Sequence, residues 1–308
     1  MIIRPEEVAD YAAIANLQAQ VFGHRAGEAC IVALHRQRST FDPALSLVAE
    51  MERRVVGHVL FSPHQMRLLG QTVPVVNLAP LAIAPSYQRQ GIGGRLITEG
   101  HAVAAAKGYV LSFLLGHTDY YPRFGYCTSA YGAAQALVPI DASSGEPPER
   151  LERYGPTSGD VPALRALWSH DEADVDFALD PGPDVLDWIS PNPAIQATVY
   201  TRAGRIVGYT RVHTSALAEP RVFLAHDSAT ARAMAYLLAH EAAAPELVLP
   251  IHPAAAAAKG FVSPRCDAWD SAMACTLAPS PLDDYFAHLR AGQRSPGRPT
   301  WPVAFDLD

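Results

Sequence analysis

A short glycine-rich segment between two apolar runs does most to limit the folds open to this chain. The run VPVVNLAPLAIAP (73–85) has the character of a strand, and Pro85 ends it. The segment SYQRQGIGGRL (86–96) follows, then a helical pattern to about residue 107, then the apolar run YVLSFLLG (109–116). Two buried strands joined by a helix predict a parallel pair with a right-handed crossover, and therefore an α/β fold.

The glycines of this segment need a physical reason. Gly91, Gly93 and Gly94 each cost a helix roughly 1 kcal/mol relative to alanine. At the start of a helix, however, they leave backbone N–H groups open to an anion, and Arg89 and Arg95 add charged donors. Neither nucleotide motif, G-x-G-x-x-G nor G-x-x-x-x-G-K-[ST], is complete here. The segment therefore predicts a pyrophosphate site of another type, with a tight turn of purely structural role as the alternative.

Further elements surround this unit. Apolar spacing predicts helices over 8–21 and 27–38, and two β-rich runs around the turn at 52–54 predict a hairpin. In the second half, ATVYTRAGRIVGYTRVH (197–213) repeats the hairpin. A strand-then-helix pattern over 221–242 and the apolar run ELVLPIHP (246–253) then repeat the later elements. We therefore expect a tandem duplication.

The second copy differs where chemistry is expected. Its strand–helix junction (224–230) has no glycine, and Ala256 stands where the first copy has Tyr121. The polar, Pro-, Gly- and Ser-rich stretch 141–160 is typical of a linker. The sequence thus predicts a catalytic domain over 1–140, a linker over 141–160 and a non-catalytic copy over 161–308.

Composition excludes several classes of function. The chain has 308 residues and a formal net charge of −7, which argues against a nucleic-acid partner. The charged N-terminus and the absence of an uncharged run of about 18 residues argue against a leader or a membrane span. The four cysteines have no CxxC spacing and His24, His35 and His64 are scattered, so no metal is expected and the predicted location is cytoplasmic.

The segment Gln88-Arg89-Gln90-Gly91-Ile92-Gly93 matches the Gln/Arg-x-x-Gly-x-Gly/Ala signature of the GNAT N-acetyltransferase superfamily. With LGHTDYYPRFGY (115–126) further on, residues 1–135 resemble the bacterial small-molecule acetyltransferases of the YhbS type. The resemblance implies tandem α/β (α+β) GNAT folds. Each would be a mixed, mostly antiparallel twisted sheet with helices on its faces and a parallel strand pair that splays around CoA.

The resemblance also implies a co-substrate, acetyl-CoA, and positions for it. Its pyrophosphate would lie on the glycine turn and its pantetheine beside the preceding strand, where a backbone N–H would polarise the thioester carbonyl. Tyr121 would protonate the departing thiolate. The positions implied for the cofactor are Leu81, Ala82, Ile83, Gln88, Arg89, Gln90, Gly91, Ile92, Gly93, Gly94, Arg95, Gly116 and His117.

Several alternatives stay open. Glu28, His58 and His117 are candidates for the base, and the primary amine of a small molecule or peptide is the expected acceptor. Tyr120 is the rival of Tyr121 for the proton donor. A non-catalytic CoA-binding sensor or scaffold, an O-acyltransferase and a longer-chain acyltransferase are alternative functions, and a homo-oligomer is left open. The terminal residue Asp308 is a further candidate for the active site.

One acidic run lies outside these motifs. Asp171, Glu172, Asp174 and Asp176 fall within six residues of the second half. A run of this kind is interpreted as a solvated face, with recognition of a cationic substrate as the alternative.

Overall fold

A computed structural model describes residues 1–139, 150–259, 261, 263–299 and 302–306. It contains six α-helices in these ranges: α1 (Tyr11–Val21), α2 (Gly27–His35), α3 (Ile92–Ala106), α4 (Val161–Asp171), α5 (Ser228–Ala242) and α6 (Leu282–Arg290). The strands of the first half are β1 (Ile2–Pro5), β2 (Ser46–Met51), β3 (Arg54–Leu68), β4 (Gln71–Ile83), β5 (Leu111–Leu115) and β6 (Gly132–Pro139). The later strands are β7 (Glu152–Tyr154), β8 (Ala178–Leu179), β9 (Ile195–Arg202), β10 (Arg205–His213), β11 (Val222–Ala225), β12 (Glu246–Leu249), β13 (Arg265–Ala268) and β14 (Ala272–Thr276).

The main sheet has seven strands in the order β1-β2-β3-β4-β5-β14, with β8 also paired to β3. Its β2–β3 hairpin turns at Glu52 and Arg53, which both have positive φ, as a two-residue hairpin turn requires. The hairpin and the helices near 8–21, 27–38 and 92–107 are confirmed, with bounds that differ by a few residues. The α/β architecture with a mostly antiparallel sheet is confirmed as well.

β4 and β5 form the predicted parallel pair, and they soon part. They pair only at Val75–Leu111, Val76–Ser112 and Asn77–Phe113, whereas β4 continues to Ile83. Opposite β3, two residues of β4 stand against one between the pairs Val59–Leu81 and Phe61–Leu78, which is a β-bulge. Bulges bend a strand and re-aim its groups. The end of β4 therefore diverges from β5 and leaves a gap in the sheet.

The second half repeats the local geometry of the first. In each hairpin a β-bulge falls at a valine, Val56 in β3 and Val207 in β10. Ala84, which follows β4, donates its N–H to the Val56 carbonyl at 2.9 Å. His226, which follows β11, donates its N–H to the Val207 carbonyl at the same distance. Helices α3 and α5 then have 15 residues each. One element of the expected copy is different: β12 pairs with β6 rather than with β11, so β11 and β12 do not repeat the parallel pair.

The two halves exchange strands. β6, from the first half, lies between β12 and β13 in a three-stranded sheet, and β14, from the second half, is the edge strand next to β5. They also share an apolar cluster that contains Phe113 and Tyr131 together with Phe177 and Tyr285. The division into 1–140, 141–160 and 161–308 stays a prediction. Within the linker range, 152–154 form β7, which pairs with β9, and 141–149 lie outside the described residues.

The interpretation of the acidic run as a solvated face was wrong for three of its four residues. Asp171, Glu172 and Asp176 are each at most 3% exposed. Glu172 pairs with Arg298, and Asp176 with Arg294 at 2.8 Å. Because both arginines lie more than a hundred residues further on, no local pattern marks the burial. Glu172 and Asp176 thus anchor residues 294–298 to the segment that follows α4.

Within the described ranges, no helix is both long and apolar enough to cross a membrane. All four cysteines are free thiols.

Candidate active site

A cavity of about 1230 Å³ lies at the gap where β4 leaves β5. The end of β4, the turn before α3, the first turns of α3 and the segment after β5 line it. Of the residues predicted for the cofactor, those that line the cavity are Leu81, Ile83, Gln88, Arg89, Gly91, Ile92, Gly93, Gly94, Arg95 and His117. Tyr121 lines it as well, whereas Ala82, Gln90, Gly116 and Glu28 are not among its lining residues.

The glycines have separate physical roles. Gly91 is the N-cap of α3 and has a left-handed φ of +79°, with open space where a Cβ would stand. A Cβ on Gly93 would lie 2.6 Å from the Tyr120 hydroxyl, and one on Gly94 would lie 2.9 Å from the Phe124 ring. Gly91 therefore sets the backbone of the turn. The other two let aromatic rings pack on the first turn of α3, so the structural role given as the alternative for this segment applies to Gly93 and Gly94, with packing partners that the sequence did not reveal.

The N-terminus of α3 is open to a ligand. In the part of the chain that the structure describes, no side chain caps the N-terminus of α3, where Gly91 is the N-cap residue. The first N–H groups of the helix therefore face the cavity. The side chains of Gln88 and Gln90 turn back instead, because they donate to the carbonyls of Ile83 (3.0 Å) and Ser86 (3.1 Å). The two glutamines thus stabilise the turn, and the backbone N–H groups at the start of α3 remain available to an anion.

The end of β4 presents a backbone edge to the same cavity, and the Ile83 carbonyl on this edge accepts from Gln88 Nε2 at 3.0 Å. Ala84 donates to Val56 of β3, and hydrogen-bonded pairs alternate along an antiparallel ladder. The polar groups of Ala82 therefore face β3, while those of Leu81 and Ile83 face the gap. Ala82 is 1% exposed, in agreement with this alternation. The edge can bind an extended ligand by backbone hydrogen bonds.

Positive charge dominates the wall of the cavity. Arg89, Arg95 and Arg123 line it, with Glu99 as a carboxylate among them. Arg123 was missed in the sequence, although it belongs to the same YYPRF stretch as Tyr121. An anionic ligand is therefore favoured here, even though the whole chain is acidic.

Tyr121 lies in a cluster of aromatic rings at the floor of this site. Its ring packs edge-on against Tyr120 (5.2 Å between centroids) and Tyr126 (5.8 Å). A Cβ on Gly116 would lie 2.3 Å from the Tyr121 ring, so Gly116 makes room for the phenol rather than lining the cavity. Burial, with a smaller contribution from Tyr120, raises the pKa of Tyr121 to about 12. The phenol is thus protonated at neutral pH.

The three candidates for a base lie in different places. His117 lines the cavity just past β5. His58 is fully buried in β3, where it hydrogen-bonds the side chains of Gln18 (2.8 Å) and Ser46 (2.9 Å), and burial lowers its pKa. Glu28 lies in the first turn of α2. The structure therefore brings only His117 of the three into the wall of the cavity.

The corresponding junction of the second half is closed by its own side chains. Asp227 caps α5, with Oδ1 accepting from Thr230 N at 2.7 Å. Burial alone would raise the pKa of Asp227, but hydrogen bonds from Thr230 and Arg202 lower it to about 2. At the strand edge, the Asp171 carboxylate accepts from Ala225 N (3.4 Å) and Ala257 N (2.8 Å).

The sheet order and the parallel pair that splays beside a glycine turn define an acetyltransferase fold of the GNAT type. A family model of the acetyltransferase (GNAT) domain matches residues 3–128. The chain is 35% identical over 132 residues to the uncharacterized N-acetyltransferase YhbS of Escherichia coli, which is 42% of this chain and 76% of YhbS. The chain therefore belongs to the GNAT acetyltransferase family.

Two further relatives extend the comparison. The uncharacterized N-acetyltransferase YjhQ of Escherichia coli is 38% identical over 117 residues, and the match spans 38% of this chain and 64% of YjhQ. A GCN5-related N-acetyltransferase from Anabaena variabilis shares the fold over 90% of this chain and 72% of its own, with a TM-score of 0.69 and 15% identity. Both halves of the chain thus have a structural counterpart in one solved protein.

Proposed function

We propose that the chain is an N-acetyltransferase that moves the acetyl group of acetyl-CoA to a primary amine. The observation that carries this proposal is the cavity at the strand gap, which joins the N-terminus of α3, the backbone edge of β4 and the half-buried phenol of Tyr121. The uncapped turn at Gly91 suits a pyrophosphate, and the edge at Leu81 and Ile83 suits the amides of pantetheine. The cavity's excess of arginine fits the phosphates.

Acyl transfer from a thioester to an amine requires few protein groups. The amine nitrogen attacks the thioester carbon in a ternary complex, a C–N bond forms and the C–S bond breaks. A backbone N–H at Leu81 would stabilise the oxyanion, which is commonly the largest contribution to acyl transfer. The proton that the nitrogen loses passes to His117 or to water, and Tyr121 gives a proton to the departing thiolate. The burial that keeps Tyr121 protonated would also raise the pKa of a thiolate beside it.

We propose the second half as a non-catalytic copy. It repeats the bulged hairpin and the 15-residue helix, but Asp227 and Asp171 already satisfy the backbone groups that a cofactor would need. Its role would be to complete the fold through β14 and to shape the space beside the active site. The cytoplasmic location also remains a proposal.

A thiol-release assay with acetyl-CoA and a panel of primary amines tests this function. We expect amine-dependent release of free CoA and an N-acetylated product in the mass spectrum of the reaction. CoA binding without thiol release across the panel would favour the sensor or scaffold. Alcohol acceptors and longer acyl-CoA donors, run in parallel, separate the O- and longer-chain acyltransferases.

A further inference from the structure

A second cavity, of about 510 Å³, adjoins the same strand ends. β4 contributes Ala79 to its wall and β5 contributes Leu115. Leu81 and His117, each two residues further along, line the larger cavity. Because a strand rises about 3.3 Å per residue, Ala79 and Leu81 lie about 7 Å apart along β4, and His117 lies two residues beyond Leu115, the last residue of β5. The second cavity therefore lies close to the place where the thioester would lie, and its volume suits a small molecule.

The rest of this wall comes largely from the second half and the C-terminal segment. Trp269 and Phe305 are its aromatic members, and its charged members are Arg211, Arg221, Arg298 and Asp306. Asp306 Oδ2 lies 2.7 Å from Arg211 Nε, and its Oδ1 lies 3.3 Å from Arg221 Nη1. Three guanidinium groups thus line the cavity with one carboxylate among the described residues, and because Arg298 also pairs with the buried Glu172, the excess of positive charge is one guanidinium. The site is apolar in part and favours negative charge.

Two buried polar atoms in this wall lack a partner. Asn77 donates through Nδ2 to the Phe113 carbonyl, but its Oδ1 is without a hydrogen bond inside the described ranges, and the residue is 1% exposed. Arg298 Nε is likewise buried without one. Since buried polar atoms are nearly always hydrogen-bonded, both point to a ligand. Asn77 Oδ1 needs an N–H donor, and Arg298 Nε needs an acceptor.

We propose that this cavity binds the acceptor, and that the acceptor is a primary amine with an anionic group, such as a carboxylate, on an apolar body. The proposal rests on the function proposed above. The amine lies beyond Ala79 and Leu115, toward Leu81, where the acetyl group would be delivered, and Asn77 lies deeper in the same wall. The anionic group lies toward the arginines, and Trp269 and Phe305 contact the body between them. The second half thereby determines the specificity of a reaction that the first half performs.

Three probes that share an aminomethylphenyl group test this assignment: 4-(aminomethyl)benzoate, benzylamine and 1,4-bis(aminomethyl)benzene. They differ only in a carboxylate, a hydrogen or a second amine at the far end. Binding is measured by calorimetry on the full chain, with and without saturating CoA. We expect the carboxylate probe to bind at least about tenfold more tightly than the other two. Direct binding reads the acceptor site independently of turnover.

Variants of Arg221 test whether the preference for the carboxylate probe arises in this cavity. Arg221→Gln is expected to remove the carboxylate preference, and Arg221→Lys to keep most of it. The control is Arg232→Gln, an exposed residue of α5 that does not line the cavity. Equal or tighter binding of either other probe, no binding of all three, or an unchanged preference in Arg221→Gln would each overturn the inference. Failure of CoA itself to bind would instead contradict the proposed function, so the two failures are distinguishable.

Discussion

Two strand–helix junctions in this chain share their geometry and differ in what occupies them. At the first, α3 begins at Gly91 without a side-chain cap, and at the second, α5 begins at Asp227, whose carboxylate accepts from Thr230 N at 2.7 Å. Because the N-terminus of a helix carries a partial positive charge, both positions favour an anion. The second junction supplies that anion from the chain itself, and the first leaves it to a ligand.

The strand edges differ in the same way. At the end of β4 the polar groups of Leu81 face a cavity. At the end of β11 the corresponding edge is covered, because Asp171 accepts from Ala225 N and Ala257 N. Under the proposed function, the backbone that would bind a cofactor in the first copy serves stability in the second, where a carboxylate takes the cofactor's place. The proposed catalytic copy and the proposed structural copy would then differ in a few side chains rather than in the fold.

The largest effect is expected from giving the first junction the cap of the second. Gly91→Asp places a carboxylate at the N-cap of α3, where it competes with the pyrophosphate and repels it. We expect the CoA affinity of this variant, measured by calorimetry, to be lower by about a thousandfold, because several charged hydrogen bonds are lost. Gly91→Asn is the matched control, since asparagine also tolerates a left-handed φ but carries no charge. Similar losses in both variants would contradict the electrostatic explanation.

The second prediction concerns the phenol that only the first copy has. Tyr121→Phe is expected to lower kcat by about a hundredfold with little change in CoA affinity, because a general acid is lost. Steady-state thiol release gives kcat. Tyr120→Phe is the control, since its hydroxyl lies against Gly93 at the start of α3. If Tyr120→Phe shows the larger loss of kcat, the proton donor is Tyr120 instead.

The third prediction is a loss of stability in the second copy. Asp171→Ala leaves the N–H groups of Ala225 and Ala257 buried without an acceptor, which costs about 3 kcal/mol of unfolding free energy. Denaturant unfolding measures it. Asp174→Ala, an exposed neighbour in the same acidic run, should change little. Equal stability of the two variants would show that Asp171 does not hold this edge closed.

The smallest effect is expected at the cap of α5. Asp227→Ala should cost about 1 kcal/mol, because an N-cap hydrogen bond is lost. The pKa of Asp227 falls from 3.8 to about 2 in the folded chain, so its stabilisation is fully present above pH 3.8 and is lost as the pH falls toward 2. The unfolding free energies of the unchanged protein and of Asp227→Ala should therefore converge as the pH falls toward 2. A constant difference would contradict the role of the carboxylate.

Local patterns predicted the elements that depend on nearby residues. The β4–α3–β5 unit, the hairpins and the glycine turn follow from periodicity and turn chemistry within about 40 residues. Local patterns did not predict the pairing between the halves, because β14 pairs with β5 from about 160 residues away and Asp171 contacts Ala257 only in the folded chain. The reason for Gly93 and Gly94 was likewise hidden, because Tyr120 and Phe124 reach α3 through tertiary packing.

The most direct test of the account is the stoichiometry of CoA binding to the intact chain by calorimetry. We predict one CoA per chain, with binding lost in Gly91→Asp and retained in Asp227→Ala. Two CoA molecules per chain, or binding that survives Gly91→Asp, would contradict the claim that only the first junction is open to the cofactor.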